Sequence, residues 1–287
     1  MPRRKLTVGL VQMRMTASTE ENLTRALDRI ERAYDGGAEL ICLPELFTSP
    51  YFPQYRMSEG KGRDFAESIP GRTTEALCRC AAKLKVGIIA GSLHELCGKK
   101  MYNTSPVIGP DGCILGLYRK THIPYDESFY EKEYFAPGDT GFKVFELSGI
   151  KFGVLICYDQ WFPEAARCLA LQGAEIVFYP TAIGTCRGIR QKEGDWHQAW
   201  ENVMRGHAIA NGIVVCAVNR CGQEDRMRFW GGSFVCDAFG RTIERLGARE
   251  EVLVRKVDLD HGAEVRRGWG FLRNRRPECY GRLVEVE

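Results

Sequence analysis

No apolar run in this 287-residue chain approaches the ~20 residues that a membrane-spanning helix needs. Charge of one sign is lacking too. Forty Lys and Arg face 37 Asp and Glu, a net charge of +3, too small by itself to imply a nucleic-acid or membrane partner. Twelve cysteines contain no C-x-x-C pair, which argues against structural zinc. Several sit inside apolar strand patterns, as in Ile41-Cys42-Leu43 and Val215-Cys216-Ala217. That is the pattern of reduced, packed thiols in a cytoplasmic protein rather than a secreted disulfide scaffold. The opening Met1-Pro-Arg-Arg-Lys5 lacks the apolar core of a signal peptide. Repeats, low-complexity stretches and a dividing linker are all missing, so residues 1–287 read as one domain.

What is present is an alternation of strand and helix patterns. Residues 5–13 alternate like a strand, and Ser18-Thr-Glu-Glu21 reads as a capping box before Leu23, Ala26, Leu27, Ile30 and Ala33 at helical spacing. Gly36-Gly37 ends that helix and 39–45 is the next strand, giving a βαβ unit. Residues 46–70, rich in Pro and aromatics, read as a long loop over a site. A helix over 73–85, a strand over 86–94 and a hairpin from Tyr102 to Lys120 turning at Pro110-Asp111-Gly112 follow. Strands are predicted at 151–157, 175–182, 213–221 and within 231–259, and helices from Pro163 to about Gln172 and over 195–211.

Three ionisable residues close three apolar strands: Glu45, Lys120 and Cys157. In open α/β sheets the carboxyl ends of strands border the ligand crevice. Two of them have a plain alternative. A buried cysteine usually just packs, and Lys120 could be a solvated residue at a sheet edge. Glu45 follows an apolar strand and a proline, so its carboxylate stands at the lip of the core, where desolvation suits a general base. Cys157 precedes a tight elbow and a helix opened by Pro163 and Glu164, a place where a nucleophile meets a backbone N–H.

Pro44-Glu45-Leu46, Arg119-Lys120-Thr121-His122 and Leu155-Ile156-Cys157-Tyr158-Asp159 resemble the three signatures of the nitrilase superfamily of carbon–nitrogen hydrolases, in order and over essentially the whole chain. Within it the sequence is similar to N-carbamoylputrescine amidohydrolases, through Asp159 to Arg167, Phe178 to Ile183, Gly206-His207-Ala208 and Gly268-Trp269-Gly270. The resemblance implies an α/β fold of the αββα sandwich type, pairing through helices into dimers. It implies a Glu45–Lys120–Cys157 triad, with Glu131 helping to hold lysine and substrate and the Tyr158 N–H serving the oxyanion. Tyr51, Trp161, Asp126 and Thr181 are the expected pocket residues. No cofactor or metal is implied, and His122, His197 and His207 read as structural.

The implied reaction is hydrolysis of N-carbamoylputrescine to putrescine, CO2 and ammonia. The alternative is another N-carbamoyl compound or linear amide, such as N-carbamoyl-β-alanine. The basic loop 185–190 runs against a cationic substrate, while Asp126 and Glu127 favour one. Gln160-Trp161 stand where carboxylate-binding relatives carry arginines. Residues 264–282 hold six Arg against two Glu, interleaved with aromatics. This segment reads either as a nucleic-acid-binding stretch or, by the resemblance, as the outer part of an arm (260–287) lying across a partner subunit. The arm is the reading adopted, with no nucleic-acid or membrane partner.

Overall fold

The computed structural model describes residues 4–60, 63–189 and 191–285. Arg190 of the basic loop lies outside them, as do the two ends of the predicted domain. In chain order the elements are β1 (Lys5–Gln12), α1 (Thr19–Asp35), β2 (Leu40–Cys42), α2 (Arg72–Leu84), β3 (Gly87–Ile89), β4 (Leu93–Cys97), β5 (Lys100–Ile108), β6 (Ile114–Arg119), β7 (Val144–Leu147) and β8 (Ile150–Val154). After these come α3 (Pro163–Leu171), β9 (Ile176–Thr181), β10 (Gly184–Cys186), α4 (Trp196–Asn211) and β11 (Val214–Asn219). The chain then runs through β12 (Cys221–Glu224), β13 (Met227–Trp230), β14 (Phe234–Cys236), β15 (Thr242–Arg245), β16 (Glu251–Asp258) and α5 (Leu259–Trp269).

The strands form a seven-stranded sheet along β16-β1-β2-β3-β5-β4 with β6 paired to β5, a six-stranded sheet β15-β14-β11-β9-β8-β7, and a small sheet β10-β13-β12. Both large sheets are mixed. β1, β2 and β3 are parallel, as are β8, β9 and β11, with antiparallel neighbours outside. Alternation along β1 shows how the layers arise. Leu6, Val8 and Leu10 join Leu40, Phe152, Phe178 and Val215 in the core between the sheets. Val11 faces the other way, into a core with Leu23, Ala26, Ile30 and Ala33 of α1. On that outer face a Cβ on Gly9 would lie 3.0 Å from those of Ala33 and Ala38, so the glycine lets α1 seat closely. Residues of α3 and α4 (Leu169, Trp200, Met204) pack on the six-stranded sheet. Helices, sheet, sheet, helices is thus the observed layering.

Three sequence expectations change in detail. Ser18 caps α1 by accepting from the Glu21 N–H (3.2 Å), but the Glu21 carboxylate takes the Thr16 hydroxyl, so only half of a capping box forms. The strand over 86–94 is two strands, broken at Gly91. There φ is +53° and a Cβ would sit 2.0 Å from the Pro44 carbonyl, and the kink lets Ser92 Oγ accept from the Leu46 N–H (3.0 Å). The strand predicted to reach Cys157 ends at Val154. The long loop at 46–70 carries short 3₁₀ turns, and Leu46, Tyr51 and Phe52 enter a third core with Ile123, Phe135 and Phe229. At the C-terminus, α5 buries Leu259, Gly262 and Val265, whereas Trp269, Leu283 and Val284 are exposed.

Candidate active site

The fold converges on the carboxyl ends of its parallel strands. β2 leads into Pro44-Glu45 on the seven-stranded sheet. β6 is antiparallel to β5, which is antiparallel to β3, so β6 runs with β2 and delivers Lys120 to the same edge. β8 belongs to the other sheet and delivers Cys157. The nucleophile candidate and the two charged residues therefore come from opposite sheets.

Lys120 Nζ donates to Glu45 Oε1 (2.8 Å) and to Glu131 Oε2 (2.7 Å), and all three side chains are fully buried. Asn103 Nδ2 also donates to Glu45 Oε1 (2.8 Å). With Oε1 held twice, the buried Oε2 of Glu45 has no hydrogen-bond partner and is the atom left to accept a proton. The Tyr51 hydroxyl donates to Glu131 Oε1 (2.8 Å), fixing the second carboxylate. Cys157 Sγ stands 3.9 Å from the Ala182 carbonyl. The residue adopts the left-handed conformation, φ +42°, which swings the side chain out of the strand at the elbow.

Burial alone would favour a neutral lysine, but the charges of Glu131 and Glu45 outweigh it and hold Lys120 above its ordinary pKa. Burial raises Glu131, with Lys120 opposing. Burial also pushes the Cys157 thiol well up, the Glu45 charge adds to this, and Lys120 pulls the other way. At neutral pH the resting site holds a thiol beside an ammonium, so its sulfur needs a base before it can attack.

Cys157 and Glu131 line a cavity of 520 Å³. Tyr158, Trp161 and Asp126 line it, as do Glu127 and Glu193, while Phe129, Ile183, Ile189 and Trp196 supply apolar walls. Two expectations are corrected. Tyr51 is not a pocket wall, because its ring is buried in the third core and its hydroxyl is used on Glu131. Thr181 does not reach the pocket either. It is fully buried, and its hydroxyl donates to the Tyr179 carbonyl (2.9 Å). Arg187 is exposed and outside the cavity lining, so of the basic loop only Arg190 falls beyond what is described.

Several residues that the sequence reading passed over serve the site. Besides Asn103, Arg220 is fully buried just after β11 and donates to the Glu45 and Leu46 carbonyls (both 2.7 Å) and to the Glu224 carboxylate (2.9 Å). Asp159 collects four donors at the elbow, described below. An apolar strand that ends in a buried arginine was the available signal for the first.

A buried Glu–Lys–Glu cluster beside an elbow cysteine, set between two stacked mixed sheets, defines a thiol-dependent acyl-transfer class of site. The sequence profile described as carbon–nitrogen hydrolase matches residues 7–267. An N-carbamoylputrescine amidase of Solanum lycopersicum is 42% identical, covering 99% of this chain and 96% of that protein. A citrullinase of Francisella tularensis is 38% identical over 96% and 97%. The crystal structure of a carbon–nitrogen hydrolase from Helicobacter pylori G27 superposes with a TM-score of 0.92 at 38% identity, covering 98% of this chain and 99% of that one. A mutant amidase of Nesterenkonia, with fluoroacetamide's acetamide moiety added covalently at its active-site cysteine, gives 0.80 at 26% identity over 97% of both chains. The chain belongs to the carbon–nitrogen hydrolase family of the nitrilase superfamily. It is a hydrolase of carbon–nitrogen bonds other than peptide bonds.

Proposed function

We propose that this enzyme cleaves the terminal urea of a cationic N-carbamoyl amine, N-carbamoylputrescine in first place, with Cys157 as nucleophile. The observation that carries the substrate is the lining of the cavity: Asp126, Glu127 and Glu193 contribute carboxylates, and no lysine or arginine is present among its described residues. An ammonium at the far end of a flexible chain is attracted there, while a lone carboxylate at that end, as in N-carbamoyl-β-alanine, faces these carboxylates with no lysine or arginine of the described lining to pair with. The apolar walls suit a tetramethylene spacer.

Glu45 Oε2 takes the proton of Cys157 as the thiolate attacks the urea carbon. The oxyanion is held by the Lys120 ammonium and the Tyr158 backbone N–H. Collapse of the tetrahedral adduct expels ammonia, which leaves with the proton returned by Glu45. The product is a thiocarbamate on sulfur. Glu45 then deprotonates water, the hydroxide adds to that carbonyl, and sulfur leaves to regain its proton. The carbamic acid released decomposes to the free amine and CO2. Glu131 keeps Lys120 charged and oriented, with Tyr51 behind it.

An ammonia-release screen over N-carbamoylputrescine, N-carbamoyl-β-alanine, citrulline and simple amides tests the substrate, and turnover confined to the carboxylate-bearing ureas would overturn it. A finer expectation concerns the acidic lining. Asp126→Asn and Glu193→Gln each raise KM for the cationic urea about 2- to 5-fold, as for partly exposed charge pairs. KM for a neutral amide stays unchanged, and an equal rise for both substrates would remove the charge argument.

A second copy of this chain is the proposed partner. Phe239, Trp269 and Phe271 form an exposed ring cluster with centroids 5.6 Å apart, near exposed Ile209 of α4. The arm beyond Gly270 continues from this patch. Twelve free thiols suit a reducing, cytoplasmic setting, and no described helix is long and apolar enough to cross a membrane. Trp269→Glu is expected to shift the protein toward monomer in sedimentation. An unchanged distribution would move the interface elsewhere.

A further inference from the structure

The site is divided between two sheets. Glu45 and Lys120 stand on the seven-stranded sheet and Cys157 on the six-stranded one. What lies between the sheets is mainly an apolar core, and apolar burial is non-directional, so it sets the spacing of layers better than their register. Proton transfer from sulfur to carboxylate requires register within a fraction of an ångström.

Two polar clamps bridge the sheets at this end. The first is Asp159, two residues after the nucleophile and fully buried. Its Oδ2 accepts from the Ile156 N–H (2.9 Å), within its own elbow, and from the Tyr118 hydroxyl (2.7 Å) on β6. Its Oδ1 accepts from the His122 N–H (3.0 Å), and His122 Nδ1 lies 2.7 Å from the same oxygen. Tyr118 and His122 flank Lys120 by two residues on each side. One carboxylate thus ties the segment on both sides of the lysine to the elbow that presents the sulfur. Stacking of the His122 ring on Phe162, with centroids 3.6 Å apart, adds a further contact across the joint.

The second clamp is Arg220, at the end of β11 on the cysteine's sheet. Its guanidinium holds the carbonyls of Glu45 and Leu46 on the opposite sheet (2.7 Å each). Its charge partner Glu224 accepts the Tyr51 N–H (2.7 Å), and the Tyr51 hydroxyl holds Glu131. Leu46 has φ +48°, a conformation leucine rarely takes, pinned by Arg220 at its carbonyl and Ser92 at its amide.

We propose that Asp159 and Arg220 are positioning residues that register the base and the lysine against the cysteine across the sheet–sheet joint. The inference rests on the Cys157–Glu45–Lys120 reading given above. Neither residue is among those that line the cavity, and the hydrogen bonds of both side chains run to the protein itself.

The test uses Asp159→Asn and Arg220→Lys in the full-length enzyme, with Cys157→Ala as control. Asparagine has one acceptor oxygen where the carboxylate uses two, so it forfeits one side of the clamp. Lysine keeps a charge for Glu224 but cannot fork onto two carbonyls. Both variants are expected to fold, to lose about 10²-fold in kcat with KM within about 2-fold, and to slow alkylation of Cys157 by fluoroacetamide in parallel, read by peptide mass mapping. A folded variant with parental kcat, or a loss confined to KM, overturns the inference. Should Asp159→Asn not fold, Tyr118→Phe removes one bond of that clamp without stranding a charge, and a parental kcat there counts equally against it. An active Cys157→Ala would overturn the triad reading itself. An inert Cys157→Ala beside fully active clamp variants overturns only the clamps.

Discussion

Cys157→Ala is expected to stop ammonia release, a loss of at least about 10⁴-fold in kcat, while the protein keeps its fold and melting temperature nearly intact. The argument has two parts. Among the described lining residues Cys157 carries the one thiol, and the buried Glu45 carboxylate that acts on it has a free oxygen. The neighbouring Glu131 is committed to Lys120 and Tyr51. Structurally the thiol does little, since its one hydrogen-bond contact among the described residues is the long approach to Ala182 O. Ammonia release at fixed substrate, together with a thermal melt, checks both halves. Turnover within tenfold of the parent would remove Cys157 from the chemistry.

Lys120→Met should be costly in two separable ways. Two buried carboxylates, Glu45 and Glu131, would lose the cation they share. Breaking such a cluster costs about 3–5 kcal/mol, and losing the oxyanion donor costs about 10²–10³ in kcat. The stability deficit depends on pH with a definite sign. Burial already holds Glu131 above its ordinary pKa, and without the lysine it rises further. A carboxyl raised in the folded state keeps its full stability below its unfolded pKa and loses it as pH rises through the folded one. The variant is therefore expected to come closest to the parent near pH 5 and to fall away toward pH 8. Adding Glu131→Gln should recover stability at pH 8 but not activity. A deficit equal at both pH values, or recovered activity, would contradict the buried-cluster account.

How much of this was legible beforehand follows from the range of each interaction. Glu45, Lys120 and Cys157 stand out because each closes an apolar strand, a signal within about ten residues, and the structure sets two of these strand ends on one sheet and the third on the facing sheet, close enough for the charges of Glu45 and Lys120 to act on the thiol. Ser18 and Pro163 mark helix starts by equally local chemistry. Arg220, by contrast, finds its partners 174 and 175 positions away, and Asn103 meets Glu45 across 58. No periodicity or spacing encodes such pairings. Thr181 and Tyr51 were misjudged for the same reason: the resemblance put them at the pocket, but which way a hydroxyl points depends on distant neighbours. The break at Gly91 was hidden because the group crowding it, the Pro44 carbonyl, belongs to the segment that follows β2.

The backbone at the elbow has one more implication. Position 157 occupies a conformation in which a glycine would rest comfortably and any side chain is strained by roughly 1–2 kcal/mol. On the role proposed for Cys157, thermal robustness and turnover thus pull in opposite directions at a single codon. A library sorted only for heat resistance would be drawn toward glycine there and would discard the sulfur. Any campaign to harden this enzyme must leave that site untouched and seek its gains elsewhere.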